Sequence, residues 1–152
     1  MAIRKVVQVG QEILRKKCAP VEKFDEELWL LLDDMKETVR FEEGAGLAAP
    51  QIAVDKRVVV VDVAEGFFEF INPVIVSEKG EQEGYEGCLS VKGKRGVVVR
   101  PMKVKLSYFD RFGERKTLAA KEFFARAICH ELDHLDGVLY IDKAKLVEKS
   151  DS

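Results

Sequence analysis

"CHELDHLDG", residues Cys129 to Gly137, contains both histidines of the chain, four residues apart, with a glutamate directly after the first. On an α-helix residues i and i+4 share a face, so His130 and His134 present two imidazoles side by side. Phe123 and Ala127 fall on that same row, which turns the pair toward the protein interior rather than toward water. Glu131 shares its own row with Phe124, Ile128 and Leu135, so its carboxylate is expected to be partly desolvated. Burial raises a carboxyl pKa and a nearby cation lowers it; the balance between the two is what a general base needs. HExxH on a helix is a signature of a divalent metal site. Two imidazoles are not a complete site, because a catalytic ion wants three protein ligands and one position left open.

Working outward, the helical period of "EFFARAICHELDHL" begins after Lys121, and Gly137 stands where a C′ glycine ends a helix. The texture before it, from Arg57 to Ala119, is β: "RVVVVDV", "FFEFINPVIV", "EGYEGCLSV", "GVVVRP" and "KVKLSYFD", with "RFGE" as a hairpin-like turn before "RKTLAA". Strands in succession without helices between them imply antiparallel or mixed sheet. "RVVVVDV" reads as a buried central strand, and Phe67, Phe68 and Phe70 as core rather than a binding platform. Further upstream, Asp25 is placed to cap a helix running to about Phe41, with Leu28, Leu31, Leu32, Met35 and Val39 at three- and four-residue spacing. That helix ends at Gly44, and "GAGLAAPQ" after it is expected to be an irregular loop. The polar tail is expected to fray over residues 146–152. The reading is an α+β single domain over residues 1–152, its antiparallel or mixed sheets packed around a C-terminal metal-binding helix.

The whole chain bounds the function. At 152 residues it is long enough for one core. With 25 basic and 27 acidic residues spread along it, it has no basic stripe to neutralise phosphates, so direct nucleic-acid binding is not expected. No stretch approaches the ~18 apolar residues of a membrane span, and the N-terminus lacks the apolar run of a signal peptide, which makes a cytoplasmic location the expectation. Cys18, Cys88 and Cys129 are too few and too scattered for a disulfide framework.

The third ligand has several candidates. Metzincin proteases read HExxHxxGxxH, and this chain follows that pattern through Gly137 before placing Tyr140 where the last histidine belongs. Asp136 and Asp142 are also within reach in sequence. Cys129 is turned about 100° around the helix from His130 and reads as a small buried hydrophobe; Cys18 has no partners nearby. Cys88, in "EGCLS", follows a glycine among strand-like residues and could project from a sheet toward the helix, so it ranks ahead of any carboxylate.

"GAGLAAPQ" at 44–51, "EGCLS" at 86–90 and "HELDH" at 130–134, in that order, resemble the three motifs of peptide deformylases. Those enzymes remove the formyl group from the N-terminal formyl-methionine of nascent bacterial chains. The likeness runs to about residue 145. Departures are small: Cys129 stands where Gln is common, Lys92 where Pro is common, and Ile52-Ala53 where Val-Gly is common. The resemblance implies Cys88, His130 and His134 as ligands of one divalent ion, Fe(2+), with Zn(2+), Ni(2+) or Co(2+) able to substitute. It implies attack on the formyl carbon by metal-bound hydroxide, with Glu131 as general acid/base. The side-chain amide of Gln51 and the backbone N–H of Leu89 would receive the oxyanion. Gly46 would contribute backbone contacts to an extended peptide. Ala127, Phe123 and Ala45 would line the methionine slot, and Arg95 would lie near the downstream peptide. The implied partners are N-formylmethionyl nascent peptides, with transient ribosome proximity but no docking through a long C-terminal helix, since the chain stops 15 residues after Gly137.

Two other readings compete. A metallopeptidase acting on ordinary peptide bonds would cleave unformylated peptides and take its third ligand after the helix. A catalytically silent, metal-stabilised scaffold would have no use for a base beside an open coordination position.

Overall fold

The structure, a computed structural model, describes residues 2–150. Helix α1 (Glu26–Phe41) starts at Asp25, whose side chain accepts the Leu28 N–H, as its position in the sequence predicts. Strands β1 (Gly46–Ala48), β2 (Val58–Val63), β3 (Gly66–Lys79), β6 (Lys103–Phe109) and β7 (Arg115–Lys121) form an antiparallel sheet in the order β1-β2-β3-β6-β7. A second antiparallel sheet joins β4 (Gln82–Cys88), β5 (Val91–Arg100) and β8 (Val147–Lys149). Helix α2 (Glu122–Leu135) carries the HExxH motif. The α+β class read from the sequence holds.

The four valines of β2 explain the layering. All are fully buried, and alternation sends Val58 and Val60 to one face and Val59 and Val61 to the other. On the first face they meet Leu28, Leu32, Met35 and Val39 of α1; on the second they meet the side of α2 built from Phe124, Ile128 and Leu135. Phe70 joins the α2 layer, fully buried, with Phe68 half-buried at its margin, while Phe67 is half-buried against the α1 layer. The opposite side of α2 faces the second sheet, so the helix lies between the two sheets. Gly137 ends it as a Schellman cap: the Val138 N–H reaches the Asp133 carbonyl and the Gly137 N–H that of His134. Gly137 has φ +75° and sits against the Arg15 carbonyl, so a side chain there is excluded on both counts.

Two expectations are corrected. "GAGLAAPQ" is regular for most of its length: Gly46–Ala48 pairs with β2 (Gly46↔Val61, Leu47↔Val60, Ala48↔Val59), and Ala49–Ile52 makes a 3₁₀ turn. Small residues let this edge strand bury completely, and Pro50 suits the first turn of a helix, where its missing N–H is no loss. The tail is not frayed over Val147–Lys149, which pairs with β5 through Gly96↔Val147, Arg95↔Glu148 and Lys94↔Lys149. A polar strand gains there the backbone bonds that an edge of β5 offers. Residues 151–152 of the expected tail lie outside the described residues.

Ala53, after the 3₁₀ turn, has φ +64° and is exposed. This left-handed conformation strains any residue with a Cβ. Ala53→Gly is expected to stabilise the fold by about 0.5–1 kcal/mol, read as a rise of a few degrees in thermal melting midpoint.

Candidate metal centre

The alternation of β4 puts Glu86 and Cys88 on one side of the strand, toward α2. Glu86 accepts from His130 Nδ1 at 2.8 Å. The thiol of Cys88 lies 3.4 Å from His134 Nε2, and the ligand atoms of Cys88, His130 and His134 all fall within 4.8 Å of one another. The two imidazole rings are 5.2 Å apart and inclined by 68°. With Nδ1–H committed to the Glu86 carboxylate, Nε2 of His130 is left to face the cluster.

The electrostatics suit ligation. Burial, with the positive charges of His130, Arg100 and Arg15, holds the His134 imidazole well below its ordinary value, so this ring is neutral. For His130, burial also works against the charged form. The hydrogen bonds to Cys88 and Glu86, with the charges of Glu131 and Cys88, outweigh burial and lift it to about 10 in the metal-free protein. Metal binding therefore displaces a proton from this site. Two neutral imidazoles and a thiolate are a donor set that fits a divalent transition metal.

Glu131 is 5% exposed and its Oε1 has no hydrogen-bond partner. Burial raises its carboxyl to about 7, with His130 opposing and Glu86 adding to the rise. Gly46 explains how the side chain fits: a Cβ at this position would stand 2.7 Å from Glu131 Cγ and 2.8 Å from Oε2. The glycine is needed for that close approach, in addition to any contact its backbone makes with a ligand.

The Gln51 side chain is buried beside the cluster. Its Nε2 donates to Ser90 Oγ at 3.1 Å and toward Cys88 Sγ at 3.6 Å, and its Oε1 accepts the Ala48 N–H at 2.9 Å. A cleft of about 700 Å³ opens onto this group and is lined by Ala45, Gly46, Gln51, Leu89, Phe123, Ala127, His130 and Glu131 among others. The structure thus brings together all but one of the sequence-predicted site residues. Phe123 differs in burial from its expected inward row. It is 58% exposed, because the first turn of α2 projects to the cleft mouth. The buried row through His130 and His134 continues instead through Arg126.

Arg95 is the residue not brought in. It is not itself part of the cleft lining: it pairs with Glu148 of β8 at 2.7 Å and lies over the ring of Tyr85, which does line the cleft, at 4.4 Å. Asp136 and Asp142, the sequence alternatives for a third ligand, are engaged by Arg57 and Arg15. Tyr140 stacks on His130 with ring centroids 6.0 Å apart. Cys129 is a buried core residue, its thiol pushed up to about 11 by burial.

Sequence reasoning missed the charged support under His130. Besides the imidazole, Glu86 accepts from Arg100 Nε and Nη2, both at 2.9 Å, and from Arg126 Nη1 at 2.6 Å; Arg100 also reaches Asp133 at 2.6 Å. Arg100 and His130 outweigh burial and hold the Glu86 carboxyl well below the usual carboxylate range. The signals were present: Glu86 is two residues before Cys88 on a strand, and Arg126 is four before His130 on a helix.

Comparison with known proteins agrees with this geometry. The polypeptide deformylase family model matches residues 3–150. A peptide deformylase of Thermoanaerobacter pseudethanolicus is 53% identical over 144 residues, covering 95% of this chain and 91% of the relative. One from Caldanaerobacter subterraneus is 50% identical over 143 residues, covering 94% and 90%. Among solved structures, the peptide deformylase of Thermotoga maritima superposes with a TM-score of 0.94 at 35% identity, covering 96% of this chain and 100% of that one. That of Legionella pneumophila gives 0.91 at 43% identity, covering 95% and 87%. A matched family across nearly the whole length, and a fold that gathers the three motifs around one cluster of donors, make this chain a member of the polypeptide deformylase family, metal-dependent hydrolases that remove the N-formyl group from nascent peptides.

Proposed function

We propose that residues 1–152 act as one catalytic unit in which Cys88, His130 and His134 hold a single divalent ion and Glu131, Gln51 and Leu89 carry out deformylation. The observation that supports this most is the convergence of three donor atoms within 4.8 Å beside a buried carboxylate oxygen that has no partner, at the floor of an open cleft. The ion, when bound, supplies Lewis acidity that makes water a nucleophile near neutral pH. Glu131 takes a proton from the attacking water and later delivers it to the amine that leaves formate. The Gln51 Nε2–H and the Leu89 N–H are the donors toward the carbonyl oxygen as it gains charge. The methionine side chain enters between Ala127, Ala45 and Phe123, and the extended peptide runs along the backbone of Gly46.

Fe(2+) is the proposed resident ion, since thiolate with two imidazoles accommodates it as well as Zn(2+), Ni(2+) or Co(2+). N-formylmethionyl nascent peptides as substrates imply a cytoplasmic enzyme working in transient proximity to ribosomes. No helix of the described residues is long and apolar enough to cross a membrane.

The test is formate release from a short formyl-Met peptide by protein purified without oxygen, with the acetyl-Met peptide of the same sequence as control. Formate from the first and an intact control are the expected results. Cleavage of internal peptide bonds, or no formate despite one bound metal per chain, would overturn the proposal.

A further inference from the structure

We propose that Gln8 is a positioning residue for deformylation, holding the Leu89–Ser90 turn so that the Leu89 N–H stays in register with the Gln51 amide. The inference rests on the reading above of Leu89 and Gln51 as the oxyanion donors.

Three consecutive residues near the N-terminus bridge the first and second motifs. The Val7 N–H donates to the Gln51 carbonyl at 2.7 Å, the Gln8 side-chain amide to the Leu89 carbonyl at 3.0 Å, and the Val9 N–H to the Ser90 carbonyl at 2.7 Å. Leu89 and Ser90 are the whole connection between β4 and β5, because Cys88 pairs directly with Val91. A two-residue turn has little to fix it from within. Here both of its carbonyls are taken from outside by residues 8 and 9.

The segment that holds them is itself anchored. Val6 is buried in the α1 layer, and the Arg4 N–H donates to Thr38 Oγ1 at 2.9 Å while its guanidinium pairs with Asp34. Gln8 therefore reaches the turn from a fixed base, and its Nε2 is also 3.4 Å from the Val6 carbonyl. A rotation of the turn that swings the Leu89 carbonyl off Gln8 also re-aims the neighbouring peptide N–H. An oxyanion donor acts only when aimed at the position where charge develops, and a misplacement of about 1 Å costs on the order of 10²-fold. Gln8 touches none of the reacting atoms; its effect passes through Leu89.

Gln8→Met tests this, since it keeps the length and approximate volume of the side chain and removes the amide that donates to the Leu89 carbonyl. With anaerobically purified protein and a formyl-Met peptide, kcat is expected to fall about tenfold. KM should stay within about twofold, and one metal per chain should be retained. Gln8→Glu, which turns an acceptor toward the Leu89 carbonyl, is expected to lose more kcat than Gln8→Met at unchanged metal content. Wild-type kcat in Gln8→Met would overturn the proposal. So would a loss carried by KM or by metal content, which would mark Gln8 as structural only. A wild-type protein that releases no formate would overturn the deformylase reading itself, and that is seen before any variant is measured.

Discussion

Glu131→Gln is expected to lower kcat for formyl-Met peptides by about 10³-fold while leaving one divalent metal bound per chain. Proton transfer by a positioned carboxylate is worth roughly 10²–10⁴ in rate, and glutamine keeps the shape while losing the ability to take a proton. The same substitution is expected to stabilise the metal-free protein. In that state the folded carboxyl is pushed up to about 7 from an unfolded value of 4.5, chiefly by burial. The folded form then binds the proton more tightly, so wild-type stability falls as pH rises from 4.5 to 7 and levels off above. Glutamine has no such dependence. The advantage of the variant should grow through that window and remain constant at higher pH, as followed by denaturant melts of chelator-treated protein. Loss of activity with gain of stability is the mark of a group kept for chemistry. An unchanged kcat would return the scaffold reading to the front.

Glu86→Gln is expected to damage the fold and the metal site together. Its carboxylate is the common acceptor for Arg100, Arg126 and the Nδ1–H of His130, all largely buried. Removing one charge from a buried network leaves the others uncompensated, at a cost of about 3–5 kcal/mol. That corresponds to a fall of about 10 °C in melting midpoint for a chain of this size. Metal affinity should fall by roughly 10- to 100-fold, because His130 loses the group that fixes its tautomer. The pH dependence has the opposite sign from that of Glu131. The Glu86 carboxyl is held below its ordinary range in the folded state, so its stabilisation is fully present above the unfolded value and is lost as pH falls toward the folded one. Wild type and Glu86→Gln should accordingly differ most near neutrality and converge in acid. Competition with a metal-sensitive dye, alongside melts at two pH values, reads both effects. Melting midpoints that coincide at pH 7 would show that the network carries no net stability.

The sequence made the helices, most strands and the cluster of donors from Cys88, His130 and His134 legible because each follows a short period or a spaced motif. The four valines of β2 announce burial on both faces, and the i, i+4 histidines announce a shared face. Long-range satisfaction of charge was not legible. The rows that Glu86 shares with Cys88 and Arg126 with His130 point both side chains inward, but nothing in the sequence says that the two meet until the fold sets them against each other. The same holds for Val147–Lys149, whose polar residues give no apolar signal and which pair only because β5 offers an open edge. "GAGLAAPQ" misled for a local reason: small residues and a proline signal a loop, yet here they let an edge strand bury and a 3₁₀ turn start. Gln8 had no local signal at all, since its partner is 81 residues away.

The two apolar layers on either side of β2 also differ in when their pieces leave the ribosome. The buried residues packed with α1 run from Val6 to Ile71, whereas the layer under α2 draws on residues as late as Leu135. Every buried contributor to the first layer has been synthesised before the codon for His130 is read. The platform carrying Gln51 and Gly46 thus precedes its histidines in the order of translation, and after His134 only the Leu139–Tyr140 cluster and β8 remain to be added.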